Sequence, residues 1–405
     1  MYNLETPKKF GPLIAQARQV ADEVFRPISR RYDREEHARP KELDMLAAVV
    51  DGMNDGSDMG GAGAAGVRRS KNGDGPEGNR NGSNLSTALS IIELCRGDVG
   101  LLLSMPRQGL GNSAIASVAD DEQLERFAGQ WAAMAITEPE AGSDSAAIRT
   151  TAVRDGDDYV LNGEKIYVTA GERADLVVVW ATLDRSKGRG AIKSFVVERS
   201  NPGLKLDRLE HKLGIRASDT AAFTLQDCRV PKENLLGPPE VAESTGGFAG
   251  AMQTFDNTRP LVAAMAVGLT RACLEETKKL LAEAGVEPDW DAPEATQTAA
   301  AAEYLAMDAD YEAAYLLTLQ AAWMADNGKP NSLQASQAKA KAGRTCVDVA
   351  LRCVALAGTL GYSETMLLEK WARDAKILDI FEGTQQIQLL IIARQLLGLS
   401  SAQLR

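Results

Sequence analysis

Tyr159-Val160-Leu161-Asn162-Gly163-Glu164-Lys165-Ile166-Tyr167-Val168 places β-rich arms on either side of an Asn-Gly pair. That pattern predicts a hairpin, because both central residues of a type I′ turn need positive φ. Working outward, Leu176–Leu183, Ala191–Glu198, Leu204–Glu210 and Ala221–Val230 read as further strands separated by loops with Gly, Asp or Pro. Close spacing without intervening helices predicts an antiparallel sheet or small barrel rather than a βαβ nucleotide fold. Helical composition flanks this block. Phe10–Ala47 and Ser86–Phe127 are rich in Ala, Leu, Arg and Glu, and Ala295–Met324 and Leu333–Leu356 are rich in Ala. Val262, Ala266, Leu269, Cys273 and Leu280 recur at helical spacing, with Pro260 either beginning that helix or kinking a longer one. Ile387, Leu390, Ile391, Arg394 and Leu397 form an amphipathic face suited to bundle packing. The expected order is helices, β region, helices.

Composition narrows the chemistry. The chain has 405 residues, with Lys+Arg 45 against Asp+Glu 56, a net charge of −11. An acidic balance argues against nucleic acid as a partner, since phosphate binding needs a basic face. No apolar run approaches the roughly 18–20 residues that span a bilayer, so no membrane span is expected. Met1–Phe10 is polar, contains Pro7, Lys8 and Lys9, and does not read as a secretory signal. Five cysteines without a Cys-x-x-Cys pair predict reduced thiols and a cytoplasmic setting. Only His37 and His211 are present, which argues against a His-rich metal site or a Ser-His-Asp triad, although each could serve a single role. No metal is expected, and proton chemistry should rest on a carboxylate or a cofactor. Asp51–Asn84 holds ten glycines and reads as a mobile loop or insertion. No phosphate-cradling glycine pattern occurs there in the strand-to-helix context it needs.

Met134 to Asp144, MAITEPEAGSD, opens the β region. By residue type alone it is a helix-to-strand turn, in which Gly relieves sterics and Ser and Asp satisfy local amides. The whole string resembles the acyl-CoA dehydrogenase family. The resemblance runs from Met134 to Gly398 except Gly285–Ala302, in six ordered segments. These are Ile136–Asp144, LNGEKIYVT at Leu161–Thr169, KLGIRASDT at Lys212–Thr220, VPKENLLG at Val230–Gly237, FDNTRP at Phe255–Pro260, and EKWARDAKILDIFEGTQQIQ at Glu369–Gln388.

The resemblance implies an α+β, mainly α subunit. Residues 1–132 would form an N-terminal helical domain with the Gly-rich loop 51–84, 133–240 a central antiparallel β-barrel-like domain, and 241–405 a C-terminal four-helix bundle. It further implies FAD-dependent oxidation of a fatty acyl-CoA thioester to a trans-2-enoyl-CoA. Ile136, Thr137, Gly142, Ser143, Tyr167, Val168, Thr169, Thr384 and Gln386 would contact the flavin cofactor. Ser143, Asp256, Arg259 and Gly383 would contact the substrate. A thioester α-proton is weakly acidic and needs a positioned base, while no side chain accepts a hydride but a flavin does. Glu382, in Phe381-Glu382-Gly383-Thr384, matches the family's base, with flavin N5 taking the β-hydride. Burial should raise its pKa. Some members carry the base on an earlier helix, where this chain has Thr258.

Three departures bear on partners. The family's Arg-x-x-Phe-Gly segment, whose Arg reaches a neighbouring subunit's FAD, falls where this chain reads LAEAGVEPDW at Leu281–Trp290. Its Gln-x-x-Gly-Gly element reads Ala355-Leu356-Ala357-Gly358-Thr359. A Pro-Glu-x-x-Gly-Gly-x-Gly turn survives only as Met59–Gly63. A homo-oligomer and a heterotetramer with a related subunit both remain open, and an electron-transferring flavoprotein is the implied acceptor. The alternatives are an acyl-CoA oxidase using oxygen and a structural subunit of a heteromeric dehydrogenase.

Overall fold

The computed structural model describes residues 5–54, 82–106, 110–241, 249–400 and 403, and the side chains among them except at 48–54 and 249–257. The chain opens with α1 (Gly11–Val20), which passes through a π-helical turn at Ala21–Phe25 into α2 (Arg26–Arg34). Pro27 explains the widened turn, because it cannot donate the amide bond that a regular helix needs there. Then follow α3 (Lys41–Asn54), α4 (Ser83–Gly97), α5 (Val99–Ser104), α6 (Leu110–Val118) and α7 (Asp121–Arg126). The Gly-rich loop expected at 51–84 is therefore shorter at both ends, and 55–81, including Met59–Gly63, lies outside the described residues. Helix α4 is buried almost throughout. Its first amides are held by a distant carboxylate: Gly82 N and Leu85 N donate to Asp326 Oδ2 at 2.8 and 3.0 Å, and Asn84 N to Oδ1 at 2.9 Å.

Among the described residues eight strands make one sheet: β1 (Ala132–Ala135), β2 (Thr151–Asp155), β3 (Asp158–Thr169), β4 (Leu176–Thr182), β5 (Ile192–Glu198), β6 (Leu204–Leu209), β7 (Thr220–Pro231) and β8 (Leu235–Leu236). Their order is β6-β7-β3-β2-β4-β5-β8, with β1 parallel to β4. The β2–β4 pairing is also parallel, and the remaining pairings are antiparallel. Every residue of β4 is buried. Val177, Val179 and Ala181 enter one apolar core, and Leu176, Val178 and Trp180 enter another. A strand covered on both faces needs no polar alternation.

The Asn162-Gly163 hairpin does not form. Both residues lie inside β3, and the turn is made instead by Gly156-Asp157, closed by the Asp155–Asp158 pair, with Gly156 at φ 64°. Gly163 (φ 154°) marks a register shift against β7. A Cβ there would lie 2.7 Å from Thr150 Cα, so the glycine serves a bulge and a close backbone approach.

The chain ends in α8 (Ala249–Glu283), α9 (Ala299–Asp326), α10 (Ser332–Tyr362), α11 (Leu368–Leu378) and α12 (Gln385–Leu397). Pro260 lies within α8, and Val262, Ala266, Leu269 and Cys273 are buried as their spacing implies. Helix α10 is, among the described residues, the one helix long and apolar enough by length and composition to cross a membrane. Unbroken apolar runs missed it because Ala and Val are interspersed with charges, and it packs against α8, α9, α11 and α12. The expected packing face of α12 is half-buried at Ile387, Leu390, Ile391 and Arg394 and exposed at Leu397, and the helix packs against α10; Gln388 is its fully buried residue, and Leu389 and Leu396 beside the face are exposed.

Gly163→Ala should destabilise the chain by about 2–4 kcal/mol, combining steric overpacking with left-handed strain. A thermal melt reads this as a lowered apparent transition, and an unshifted melt would contradict the β3–β7 bulge.

Candidate active site

The loop after β1 and strand β3 are joined by a buried ion pair. Lys165 is wholly buried, and its Nζ donates to Glu138 Oε1 at 2.7 Å and to Ile136 O at 3.1 Å. Glu138 also accepts from Thr150 Oγ1 (2.6 Å), Thr150 N (2.9 Å) and Arg149 N (2.6 Å). Burial pulls the Lys165 pKa down to about 8 against the attraction of Glu138. For Glu138 the balance reverses: burial opposes its charge, but Lys165 and the hydrogen bonds hold its pKa below the ordinary value. Ile166 N donates to Thr137 O at 2.9 Å, completing the strap.

The expected cofactor residues lie along this strap. Ile136 and Val168 are buried, Thr137 and Thr169 half-buried, and Gly142 and Ser143 exposed. Tyr167 departs from strand geometry. It sits in a register shift of β3 at φ 56°, with 62% of its surface exposed. A left-handed backbone at a bulky aromatic residue is costly and is a mark of functional geometry.

The second cluster is the turn between α11 and α12. Glu382 (φ 56°) and Gly383 (φ 90°) are both left-handed. Lys339, buried on α10, donates from Nζ to Gly383 O at 2.7 Å. Gln388 Nε2 donates to Glu382 O at 3.1 Å and Gly383 O at 3.2 Å. The positive φ at position 383 favours glycine, and a Cβ there would meet Gln388 Nε2 at 2.5 Å and displace that amide from the carbonyls it holds. The Glu382 carboxylate accepts from Thr258 Oγ1 at 2.8 Å. Burial raises its pKa, opposed by the Thr258 hydrogen bond and by the charges of Arg259 and Lys339. Burial in turn pulls Lys339 down to about 8 despite Asp379 and Glu382.

Thr384 caps α12, its hydroxyl accepting from Ile387 N at 3.4 Å, and Gln386 is exposed. Arg259 is buried. The Asp256 side chain lies outside the described residues. Loop 212–219 connects the two clusters. At one end Ala170 N and Glu172 N donate to Asp219 O (3.1 Å) and Oδ2 (2.9 Å); at the other Ile215 N donates to Asp374 Oδ1 on α11 (2.5 Å). The cavity lined by Arg126, Arg154, Tyr159 and Lys232 contains none of these residues.

Sequence reasoning missed Glu138, Lys165, Lys339 and Gln388. Lys339 did leave a trace, since it shares the stripe of Ala335, Ala342 and Cys346 at helical spacing, all buried. Thr258 entered only as a base that could not act, and the structure makes it the carboxylate's hydrogen-bond donor.

The residues fit a flavin. Tyr167 offers an exposed ring, and Gln385 Oε1 and Gln388 Oε1 are buried acceptors without hydrogen-bond partners at the start of α12. Comparisons with known proteins agree. The acyl-CoA dehydrogenase middle domain matches residues 133–228 and the acyl-CoA dehydrogenase C-terminal domain matches 245–397. A short-chain specific acyl-CoA dehydrogenase of Clostridium acetobutylicum is 34% identical over 368 residues, covering 87% of this chain and 93% of that protein. The Caffeyl-CoA reductase-Etf complex subunit CarC of Acetobacterium woodii is 34% identical, covering 79% of this chain and 84% of that protein. The solved butyryl-CoA dehydrogenase of Megasphaera elsdenii superposes with a TM-score of 0.82 at 28% identity, over 98% of this chain and all of that one. Domain matches, relatives and fold together place the chain in the acyl-CoA dehydrogenase family, as an FAD-dependent oxidoreductase that dehydrogenates acyl-CoA thioesters.

Proposed function

We propose that Glu382 is the base that removes the α-proton of an acyl-CoA thioester, giving a trans-2-enoyl-CoA. The Thr258–Glu382 hydrogen bond carries this reading, because it aims a carboxylate whose backbone is already fixed. Lys339 and Gln388 pin the carbonyls on either side of the Glu382–Gly383 peptide, so the base need not be ordered when substrate arrives. Its raised pKa makes it a stronger base than a surface carboxylate, while Arg259 and Lys339 keep it ionisable. FAD, when bound, supplies the two-electron acceptor for the β-hydrogen and its bonding pair. Ile136, Thr137, Gly142, Ser143, Tyr167, Val168, Thr169, Thr384 and Gln386 would hold the cofactor. Ser143, Asp256, Arg259 and Gly383 would hold the thioester.

A short acyl chain is the first substrate to test, since two of the relatives are named for short-chain or butyryl substrates. An electron-transferring flavoprotein is the proposed acceptor, in keeping with the Etf-complex relative. The exposed apolar residues of α12 support assembly with a second subunit, identical or related.

Glu382→Gln should lower kcat by roughly 10²–10⁴-fold, the contribution of a positioned base, with the FAD spectrum retained. Turnover within a few-fold of wild type, measured with butyryl-CoA, would remove Glu382 from the mechanism. The pH dependence has a definite sign. Activity needs the ionised carboxylate, so kcat/KM should fall as pH drops through a pKa above the ordinary carboxylate value. Thr258→Ala removes a pKa-lowering contact and should move that acid limb to higher pH; an unmoved limb would break the link. Lys165→Met strands the buried Glu138 carboxylate and should cost about 3 kcal/mol, seen as a lowered melting transition and faster FAD loss.

A further inference from the structure

The only two histidines of the chain, 37 and 211, meet although 174 positions apart in sequence, with ring centroids separated by 5.0 Å. His37 follows α2, and His211 follows β6. Ala38 N donates to Glu35 O at 2.9 Å, which makes Glu36 and His37 the central residues of a tight turn. His37 takes φ 69° there, a conformation that turns normally assign to Gly or Asn. Both its ring nitrogens are shielded from solvent and have no hydrogen-bond partner. Buried polar atoms in native proteins are almost always satisfied, by an ion where not by protein or water.

The third member is Glu36. Its Oε2 lies 2.9 Å from His211 Nδ1, and its Oε1 accepts from Lys212 N at 2.8 Å. One ligand atom from each of Glu36, His37 and His211 falls within 4.8 Å of the others. Two donors on one tetrahedral zinc ion, each about 2.0–2.2 Å from it, stand roughly 3.4 Å apart. The hydrogen-bonded 2.9 Å pair needs to open by only about 0.5 Å to reach that separation, and the His211 side chain is 84% exposed, so solvent rather than packing surrounds it. Glu172 adds a favourable charge toward His37. Lys212 opposes it, though its Nζ is engaged with Ser218 O at 2.7 Å.

We propose that Glu36, His37 and His211 bind one divalent transition-metal ion, with water completing its shell. Two imidazoles and a carboxylate suit zinc and its neighbours in the first row, and do not suit calcium or magnesium. The site shares no residue with the Glu382 cluster. It clasps the N-terminal helices to the sheet, so its role is to fasten those parts rather than to react.

The full-length, FAD-loaded protein, prepared without a polyhistidine tag and stripped by chelator, should be titrated with zinc chloride by calorimetry. One equivalent should bind and raise the melting temperature. Cobalt(II) in its place should give visible d–d absorption. His37→Asn, which tolerates positive φ, and His211→Asn should each weaken zinc binding at least tenfold while turnover of butyryl-CoA stays unchanged. The double variant, which contains no histidine, should neither bind nor be stabilised. Zinc failing to bind wild type at millimolar concentration, or binding the histidine-free protein equally tightly, would overturn the proposal.

Discussion

One ammonium group, Lys370 Nζ, joins every part of the molecule. It is buried on α11 between Asp98 Oδ2 at 2.7 Å and Asp374 Oδ2 at 2.5 Å. Asp98 caps α5 by accepting from Leu101 N at 2.8 Å and also receives the Ser29 hydroxyl of α2. The other oxygen of Asp374 takes the Ile215 amide from the loop before β7. Helices from both ends of the chain and a loop of the sheet are thus fixed to one charge. Burial opposes that charge, and the two carboxylates overcome it, holding the Lys370 pKa above its ordinary value. Such a network stabilises only when complete, since a charge left buried without its partner is strongly destabilising.

Lys165 and Lys339 repeat the device with different partners. Lys165 grips a carboxylate and a main-chain carbonyl, and so sets the strap beside Tyr167. Lys339 grips a main-chain carbonyl and sets the turn that carries Glu382. In each case a long apolar stem is buried and a single charge holds a main-chain carbonyl, that of Ile136 for Lys165 and that of the left-handed Gly383 for Lys339. The supports of both candidate loops, Lys165 and Lys339, are themselves buried. Reactive geometry here is held by tertiary contacts rather than by local propensity.

Much of this was legible in the sequence, but unevenly. Strand positions followed from β-rich stretches between turn residues, and Glu382 from the motif around it. Asn162-Gly163 misled because the same glycine freedom that makes a turn also makes a bulge, and only the strand across from it decides which. Lys339 shows only its place in a buried helical stripe, and Thr258 and Gln388 carry no local signature of their roles. Their partners lie 44, 124 and 5–6 positions away, and the longer two of those separations leave no periodic pattern. The apolar face of α12 is half-buried where expected, while Leu389 and Leu396 beside it are exposed, because hydrophobicity records a wish for burial without naming the surface that provides it.

The capping of α4 by Asp326 has a consequence for biosynthesis. The amides of Gly82, Asn84 and Leu85 leave the ribosome more than 240 residues before the carboxylate that receives them. Asp98 likewise waits for Lys370, 272 positions later. The nascent N-terminal half therefore emerges with its central helix unfinished at both ends. Completion comes late in translation, and a chain released before α9 and α11 exposes that helix to chaperones and proteases rather than folding as a stable fragment.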